Sequence, residues 1–398
     1  MEVILSITWA SAYQSVRGLV LHYAASWRAA GLDLVELNLS DKGWPDQFGQ
    51  LLQTRRIRFV FCTSGIGAAI EVDGQNLWEK LNLPLFSLLL DHPAYFAAHH
   101  RTQPANVVLG YMFQDHAQYQ ADEVRAGNLV TSLHYGIPDL PVRKADAGRP
   151  RIVFAKTGNC PDVLAASWRA APKLEAILRD ALDELALTTC GNAHAGQFHP
   201  LLVRVAAAHN VFLQPFSQLS RFLVAQLDDY LRRRKSTAIA RALLPFEVDV
   251  FGRAWEHIDT GGARARFHGP VDYATVEGQF PGATASLTMN PNIDLSAHDR
   301  FFTALGAGIM PLSDRNAYTE ANFPELLPYC FDFMPGSIES AIEHVLADPD
   351  ATRELARATR ARARGPHGVE TAAADIVQTM QAAAFAGTVR DEQKFFVP

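Results

Sequence analysis

The chain has 398 residues, of which 48% are hydrophobic and 20% are charged, which is enough apolar material for two or three ordinary domains. Its formal net charge of −6 argues against bulk attraction to nucleic acid or to anionic membranes, because both of these partners are themselves negative. The four cysteines lack C-x-x-C spacing, no stretch reaches the roughly 18 apolar residues of a membrane span, and the N-terminal segment does not resemble a signal peptide. We therefore expect a cytoplasmic protein.

The first half of the chain alternates short apolar runs with amphipathic stretches, which is typical of a parallel sheet covered by helices on both faces. The predicted strands are Val3–Thr8, Leu34–Leu39, Arg58–Cys62, Leu85–Leu90, Val107–Met112 and Leu129–Leu133, and the predicted helices are Tyr13–Ala30 and Ala69–Leu81. The polar segment from Arg143 to Pro150 predicts a linker. We therefore place an N-terminal Rossmann-like domain at residues 1–145.

The same alternation resumes at Arg151 and predicts a second α/β domain over residues 151–368. Further strands are predicted at Arg151–Ala155, Glu247–Phe251, Arg266–His268 and Ile309–Leu312, and a helix is predicted at Tyr273–Phe280. Between the first two of these strands, residues 163–244 are rich in helical patterns and are typical of an inserted helical layer. The basic run Arg232–Lys235 follows the helical pattern of Leu219–Leu231, so we interpret it as a solvated helix end, with a phosphate or membrane site as the alternative. Residues 369–398 are predicted to form a C-terminal helix and tail.

The stretch from Ala285 to Asn316 has the pattern of strand, polar loop, capped helix, glycine stop and second strand. Ser296 and Asp299 form a capping-box pattern, which predicts a helix that begins near Ala297 and ends near Gly306 to Gly308. The N-terminus of such a helix attracts phosphate, and ligands of α/β proteins bind at the carboxyl ends of strands. The sequence therefore predicts half of a ligand site here, with Asp314 at the end of the second strand.

Several motifs in order resemble those of GT-B glycosyltransferases of the CgeB-like, glycosyl transferase family 1 kind. In the donor half they are Val248–Trp255, Phe267–Tyr273, Leu287–Asn292, His298–Phe302 and Gly306–Gly308, and in the first half they are Leu85–Pro93 and His134–Pro138. The resemblance extends over nearly the whole chain. It implies two Rossmann-like, doubly wound parallel-sheet domains that face each other across a cleft, with the final helix packed back on the first domain.

The resemblance also implies a transferase that moves a sugar from a nucleotide-diphosphate-sugar to a hydroxyl or other nucleophile on a glycan, protein or small molecule. The donor would lie on the C-terminal domain and the acceptor on the N-terminal domain. No cofactor beyond the donor substrate and no metal is expected, and the adjacent Asp228 and Asp229 are a poor metal motif because neighbouring helix residues point apart. No nucleic-acid partner and no transmembrane segment are expected, and the oligomeric state stays open.

The residues expected to hold the donor follow from the same resemblance. They are Lys156, Thr157, Gly158, Asn159, Gly252, Arg253, Gly269, Val271, Tyr273, Asn290, Asn292, His298, Asp299, Arg300, Phe301, Thr303 and Asp314. The loop from Gly269 to Tyr273 would approach the base, whereas Arg300 and Lys156 would neutralise charge on the leaving diphosphate. Thr303 stands where many retaining relatives have a glutamate that holds the ribose, so that Asp299 or Asp314 could take that role. An ordinary surface ion pair for Arg300 and a plain loop position for Lys156 are the structural alternatives.

A general base is expected in the first domain. His92 is the first candidate and Asp91 the second, because both follow a predicted buried strand and Pro93 prevents simple helical continuation. A turn-capping Asp91 and a packed His92 are the alternative. Trp9, Tyr13, Tyr95 and Phe96 are aromatic candidates for stacking on an acceptor, or equally for core packing.

Other activities stay open at this point. A GT-B-fold epimerase would act on nucleotide sugars without an acceptor, a phosphorylase would need a pyridoxal-phosphate lysine, and a catalytically silent partner would bind the nucleotide without turnover. A periplasmic-type binding protein with two α/β lobes would show a similar alternation of strands and helices, although the N-terminal segment resembles no export signal.

Overall fold

A computed structural model describes residues 2–9, 15–101, 103–142, 150–189, 193–391 and 393. The chain divides into two compact units, one of Met1–Gly136 with Pro366–Pro398 and one of Ile137–Gly365. Tyr13, Cys190, most of the expected linker and residues 394–398 lie outside the described residues. The predicted domain limits at residues 145, 151 and 368 stay predictions.

The first unit is built on a six-stranded parallel sheet with the order β2-β1-β3-β6-β7-β8. Its strands are β1 (Glu2–Thr8), β2 (Asp33–Asn38), β3 (Arg56–Thr63), β6 (Leu85–Leu89), β7 (Val107–Tyr111) and β8 (Val130–Ser132), and β4 (Glu71–Val72) and β5 (Gln75–Asn76) form a separate hairpin. Its helices are α1 (Ser15–Ala29), α2 (Trp44–Thr54), α3 (Leu77–Lys80), α4 (Ala97–Arg101), α5 (Gln114–Tyr119) and the C-terminal helix Val369–Phe385, and a π-helical turn spans Gln120–Val124. The Trp27 indole N–H in α1 donates to the Ala373 carbonyl at 2.9 Å, which joins the C-terminal helix to this unit.

The predicted helix Ala69–Leu81 is wrong over most of its length. Asp73 and Gly74 have φ angles of +54° and +72°, which turn the chain between β4 and β5. The Asn76 side chain then accepts from the backbone N–H groups of Trp78 and Glu79 and starts the short helix α3. The Asp-Gly pair is a stronger local signal than the apolar periodicity around it.

The second unit contains a five-stranded parallel sheet with the order β11-β10-β9-β12-β13. The strands are β9 (Ile152–Ala155), β10 (Val248–Phe251), β11 (Arg266–Phe267), β12 (Ala285–Leu287) and β13 (Met310–Leu312). The helices are α6 (Pro161–Ser167), α7 (Pro172–Thr189), α8 (Ala195–Ala208), α9 (Gln218–Leu243), α10 (Tyr273–Gln279), α11 (Asp299–Gly306), α12 (Ala317–Asn322), α13 (Ser337–Ala347) and α14 (Pro349–His367), with 3₁₀ turns at Trp168–Ala170, Phe280–Gly282 and Pro324–Tyr329. The strand order reverses between β9 and β12, which is the topological switch point where doubly wound sheets bind ligands.

The basic run Arg232–Lys235 lies inside α9, so its interpretation as a helix end is wrong. The helix extends to Leu243 because neither glycine nor proline interrupts the chain before Pro245. Lys235 is buried, whereas Arg234 is exposed. The run therefore crosses from the buried face of the helix to its solvent face.

The predicted start of the helix after β12 is also wrong. Helix α11 begins at Asp299, and His298 rather than Ser296 is its N-cap, because the His298 ring accepts from the Arg300 backbone N–H. The Ser296 carbonyl instead accepts from the Asn316 side chain at 2.7 Å. The end of α11 is as predicted, since Gly306 is its last residue and Gly308 has a φ of +71°.

Candidate functional site

The loops that follow β9 and β12 meet at the switch point of the second unit. The two strands are paired, with Phe154 opposite Leu287 at their carboxyl ends. Lys156 follows β9 at once, and Asn290 and Asn292 lie in the loop after β12. Sequence-predicted donor residues from two distant parts of the chain therefore lie at the edge of one sheet.

The Lys156 loop is held against the end of β10 by its backbone. The Lys156 N–H donates to the Phe251 carbonyl and the Gly158 N–H donates to the Arg253 carbonyl, both at 2.9 Å. Gly252 has a φ of +143°, and a Cβ atom at this residue would lie 1.9 Å from the Lys156 carbonyl oxygen. A Cβ at Gly158 would lie 2.1 Å from the Trp255 ring. Both glycines are thus required by close packing, and they fix the course of the loop that carries Lys156.

Asn290 shapes the loop after β12 through four hydrogen bonds. Its backbone N–H donates to Asp314 Oδ1 at 2.7 Å, and its side-chain amide donates to Ser313 Oγ at 3.2 Å and to the Asp314 carbonyl at 3.1 Å. Its Oδ1 accepts from the His298 backbone N–H at 3.1 Å. Asn290 and Asp314 are both buried, and burial raises the pKa of the Asp314 carboxyl despite Lys235 Nζ at 3.7 Å. These two residues therefore position the start of α11.

Three ionisable side chains lie at the N-terminus of α11. His298 contacts the Asp299 carboxylate, and burial lowers the pKa of the His298 imidazole. Burial opposes ionisation of Asp299, but His298 and Arg300 outweigh it and hold the pKa of this carboxyl below its usual value. The Nη1 atom of Arg300 is buried and makes no hydrogen bond within the described part of the chain. A buried guanidinium nitrogen without an acceptor is costly unless a ligand supplies one.

Lys156 is a second cation at this edge for which the described residues offer no hydrogen bond or ion pair. Burial, together with repulsion from Arg300 and Arg232, lowers the pKa of the Lys156 ammonium to about 7. Asp299 and Asp228 oppose this shift without reversing it. The site thus concentrates positive charge where the protein itself supplies too few carboxylates to neutralise it, which suits an anionic ligand.

Asp228 and Arg232 belong to this site although sequence reasoning assigned both to ordinary helix positions. Asp228 is 1% exposed and Arg232 Nε lies 3.1 Å from its Oδ2. The signal that could have found them is the spacing of Asp228, Arg232 and Lys235, because residues at i, i+4 and i+7 share one face of a helix. Leucines lie on the same side of the helix, which indicates that this side is buried. Charged residues on a buried face are unusual and point to a specific role.

Other predicted donor residues have structural roles. Phe301 packs in the core against Phe302 and Phe323, with ring centroids at 5.6 and 5.1 Å. Thr303 is buried, and its hydroxyl donates to the Asp299 carbonyl at 2.9 Å, so this hydroxyl is engaged within its own helix. Both side chains are engaged within the fold, and their contact with a donor stays a prediction.

The remaining predicted donor residues lie along the carboxyl ends of the strands or beside them. The Gly269 carbonyl accepts from the Gly252 N–H at 2.8 Å, and Val271 packs against the cluster that contains Phe280. Loops contain Thr157 and Asn292, and α10 begins at Tyr273. Arg253 and Asn159 are exposed. Contact of these residues with a donor stays a prediction.

In the first unit, the structure packs His92 in the interior. Its ring is 1% exposed and lies 4.5 Å from Tyr119 and 5.0 Å from His116, centroid to centroid. Its Nδ1 accepts from the Ala94 backbone N–H at 3.1 Å. Asp91 is partly exposed, and of the aromatic candidates Trp9 and Phe96 are more than half exposed. The catalytic roles of His92 and Asp91 stay predictions.

Comparison with known proteins gives one family match, over part of the second unit and the C-terminal helix, and several solved structures with a similar fold. A glycosyl transferase-like family model matches residues 232–378. The structure is similar to sucrose-phosphate synthase from Thermosynechococcus elongatus, with a TM-score of 0.53, 10% identity and coverage of 97% of this chain and 100% of that chain. It is also similar to a DNA-modifying β-glucosyltransferase, with a TM-score of 0.52, 8% identity and coverage of 96% and 100%. An α-glucosyltransferase in complex with UDP gives a TM-score of 0.51 at 8% identity, with coverage of 95% and 100%.

The fold is GT-B. At such low identities the likeness extends to the fold alone, which consists of two parallel-sheet α/β units as the sequence predicts. No curated protein matches the chain significantly. Within the described ranges, no helix of this GT-B chain is long and apolar enough to cross a membrane, and no group of three or more His, Cys, Asp or Glu side chains could hold a metal ion.

Proposed function

We propose that this protein is a glycosyltransferase that moves a sugar from a nucleoside diphosphate-sugar to an acceptor nucleophile. The observation that carries the proposal is the pair of cations at the switch point, Arg300 with its buried Nη1 and Lys156 with its lowered pKa. Neither has an ion-pair partner among the described residues. The GT-B fold and the family match over residues 232–378 support the same reading.

The chemistry needs stabilisation of a leaving group. In the transfer, the acceptor oxygen forms a bond to the anomeric carbon, the bond from that carbon to the phosphate oxygen breaks, and its electron pair stays on the diphosphate. Lys156, Arg300 and the N-terminal dipole of α11 lower the energy of that developing charge. The acceptor proton goes to a base, for which Asp91 is more accessible than the buried His92.

The finer assignments are also proposals. The motif resemblance supports a CgeB-like subfamily, a hexose as the transferred sugar and an acceptor on a glycan, and the widely spaced cysteines support a cytoplasmic location. Metal-independent transfer is supported by the cations themselves, because they supply the charge neutralisation that a divalent ion would otherwise provide. An epimerase or a silent partner would use the same donor site but would transfer no sugar.

A ligand screen tests the proposal. Purified protein is heated in the presence of UDP, GDP, dTDP, CMP and their sugars, in a buffer that contains EDTA, and hits are followed by calorimetry. We expect one diphosphate nucleotide to raise the unfolding temperature, because a ligand at 100 times its Kd stabilises the native state by about 2.7 kcal/mol. If no nucleotide binds at millimolar concentration, with or without added Mg²⁺, the proposal is wrong.

Diphosphate affinity is expected to depend on pH through Lys156. Burial, Arg300 and Arg232 lower the pKa of its ammonium to about 7, so the free protein loses this charge as the pH rises above 7. A bound diphosphate favours the charged form, and the affinity should therefore fall between pH 7 and 9 by up to about tenfold per pH unit. Calorimetric titration of wild type and of Lys156→Arg measures this, since a guanidinium stays charged and the variant should show a flat profile. A flat profile in the wild type would contradict the prediction.

A further inference from the structure

One face of α9 contacts the loops that build the donor site. Asp228, Arg232 and Lys235 share this face, and both Asp228 and Lys235 are buried. Asp228 accepts twice from the Asn292 side-chain amide, at its Oδ1 (2.9 Å) and at its carbonyl (3.0 Å). Lys235 lies 3.7 Å from Asp314, which in turn accepts from the Asn290 N–H. The helix therefore holds the loop after β12 at both asparagines.

Asn292 depends on this contact for its conformation. Its φ is +53°, in the left-handed region, and its carbonyl accepts from the Ala195 N–H at the start of α8 at 2.6 Å. A non-glycine residue in that region needs support from its surroundings. Asp228 supplies that support, because its carboxylate and carbonyl together bind one amide group.

The same carboxylate places Arg232 beside the loop. Asp228 Oδ1 accepts from the Asn292 side chain, and Asp228 Oδ2 lies 3.1 Å from Arg232 Nε. A single carboxylate therefore links Arg232 to the loop after β12. The Arg232 side chain is 24% exposed, whereas its carboxylate partner is 1% exposed. The ion pair with a buried carboxylate keeps the Arg232 guanidinium beside this loop, and its planar fork suits a phosphate group.

We propose that Arg232 is a third cation that binds the donor diphosphate, and that Asp228 is the positioning residue that holds both Arg232 and Asn292. This inference rests on the proposed function. A nucleoside diphosphate carries more negative charge than the corresponding monophosphate. Arg232 adds a third positive charge to those of Lys156 and Arg300, which suits the additional phosphate. The site should therefore prefer nucleoside diphosphates to the corresponding monophosphates, and α9 should be part of it.

The test compares Arg232→Gln with Arg234→Gln. Calorimetry measures the affinity of each variant for the diphosphate nucleotide found in the screen, and for the monophosphate of the same nucleoside. We expect Arg232→Gln to lose about 10- to 100-fold for the diphosphate and less than about threefold for the monophosphate. Arg234 is exposed, and Arg234→Gln should bind both ligands as wild type does.

A second pair of variants tests whether Asp228 positions Arg232, as distinct from a general effect of losing a carboxylate from α9. Asp228→Asn removes the charge that pairs with Arg232, whereas Asp229→Asn breaks the partly buried pair of Asp229 with Arg233, whose Oδ2 and Nη2 atoms lie 2.7 Å apart. We expect only Asp228→Asn to weaken binding of the diphosphate. If wild type binds the diphosphate and Arg232→Gln loses nothing, or loses equally for both ligands, the inference is wrong and the donor site stands. If wild type binds neither ligand, the proposed function and the inference fall together.

Discussion

Lys156→Ala and Arg300→Ala are each expected to weaken binding of the nucleoside diphosphate by roughly 10- to 150-fold, which corresponds to one charge-assisted hydrogen bond to a phosphate oxygen. The Arg300 Nη1 atom is buried without a hydrogen bond, and burial with repulsion from Arg300 and Arg232 lowers the pKa of Lys156 to about 7. A bound diphosphate would accept from the Arg300 Nη1 atom and favour the charged form of Lys156, which are both unfavourable in the free protein. The two substitutions should therefore weaken binding more than substitution of an exposed cation does.

The double variant should bind no diphosphate at millimolar concentration, and calorimetry with wild type, both single variants and the double variant measures this. Arg234→Ala is the matched control, because Arg234 is an exposed arginine of the same helix. The variants should also unfold at or above the wild-type temperature, since removal of mutual repulsion between Lys156 and Arg300 favours the folded state. Wild-type affinity in both single variants would show that the anion binds elsewhere.

Gly252→Ala is expected to have the largest effect on stability. A Cβ atom there would lie 1.9 Å from the Lys156 carbonyl oxygen, and the φ of +143° is strained for any residue with a side chain. The obstacle is backbone, so the Lys156 loop must move. We expect a loss on the order of 3–5 kcal/mol, measured as an unfolding temperature lower by roughly 6 to 15 °C, together with loss of diphosphate binding.

Gly278→Ala is the control for this variant. Gly278 lies in α10, and a Cβ there meets no atom within 4 Å. Alanine in a helix should stabilise by about 0.5–1 kcal/mol relative to glycine, so this variant should unfold at the wild-type temperature or slightly above it. If Gly252→Ala retains wild-type stability and affinity, the close approach of the two loops is not required for the site.

Much of the fold follows from the sequence because parallel strands that are buried on both faces are continuous apolar runs. The segments that become β6, β7 and β9 are of this type and were predicted to within two residues. Two features that were predicted wrongly are ones in which a local contact determines where an element begins or ends. The hairpin around Gly74 depends on two left-handed residues, and the start of α11 depends on which side chain reaches the Arg300 N–H.

The candidate site was predictable where a charged residue directly follows a strand, as Lys156 does. It was harder to predict where the residue comes from a helix far away in sequence, because the run Arg232–Lys235 does not by itself show which of its residues are buried, and only the spacing from Asp228 indicates a shared face. Phe301 and Thr303 show the same limit, because motif resemblance assigns positions, whereas the rotation of α11 decides which side chains face the core.

The most direct test of the central claim is turnover of a donor. The protein is incubated with the sugar form of the nucleotide identified in the screen, with EDTA and a set of glycan and small-molecule acceptors, and release of nucleoside diphosphate is measured beside the Lys156→Ala/Arg300→Ala double variant. We predict release by wild type that an acceptor accelerates, with formation of a glycosylated product, and none by the double variant. Tight binding of the donor with no release under any condition, or conversion to a second nucleotide sugar, would contradict a transferase.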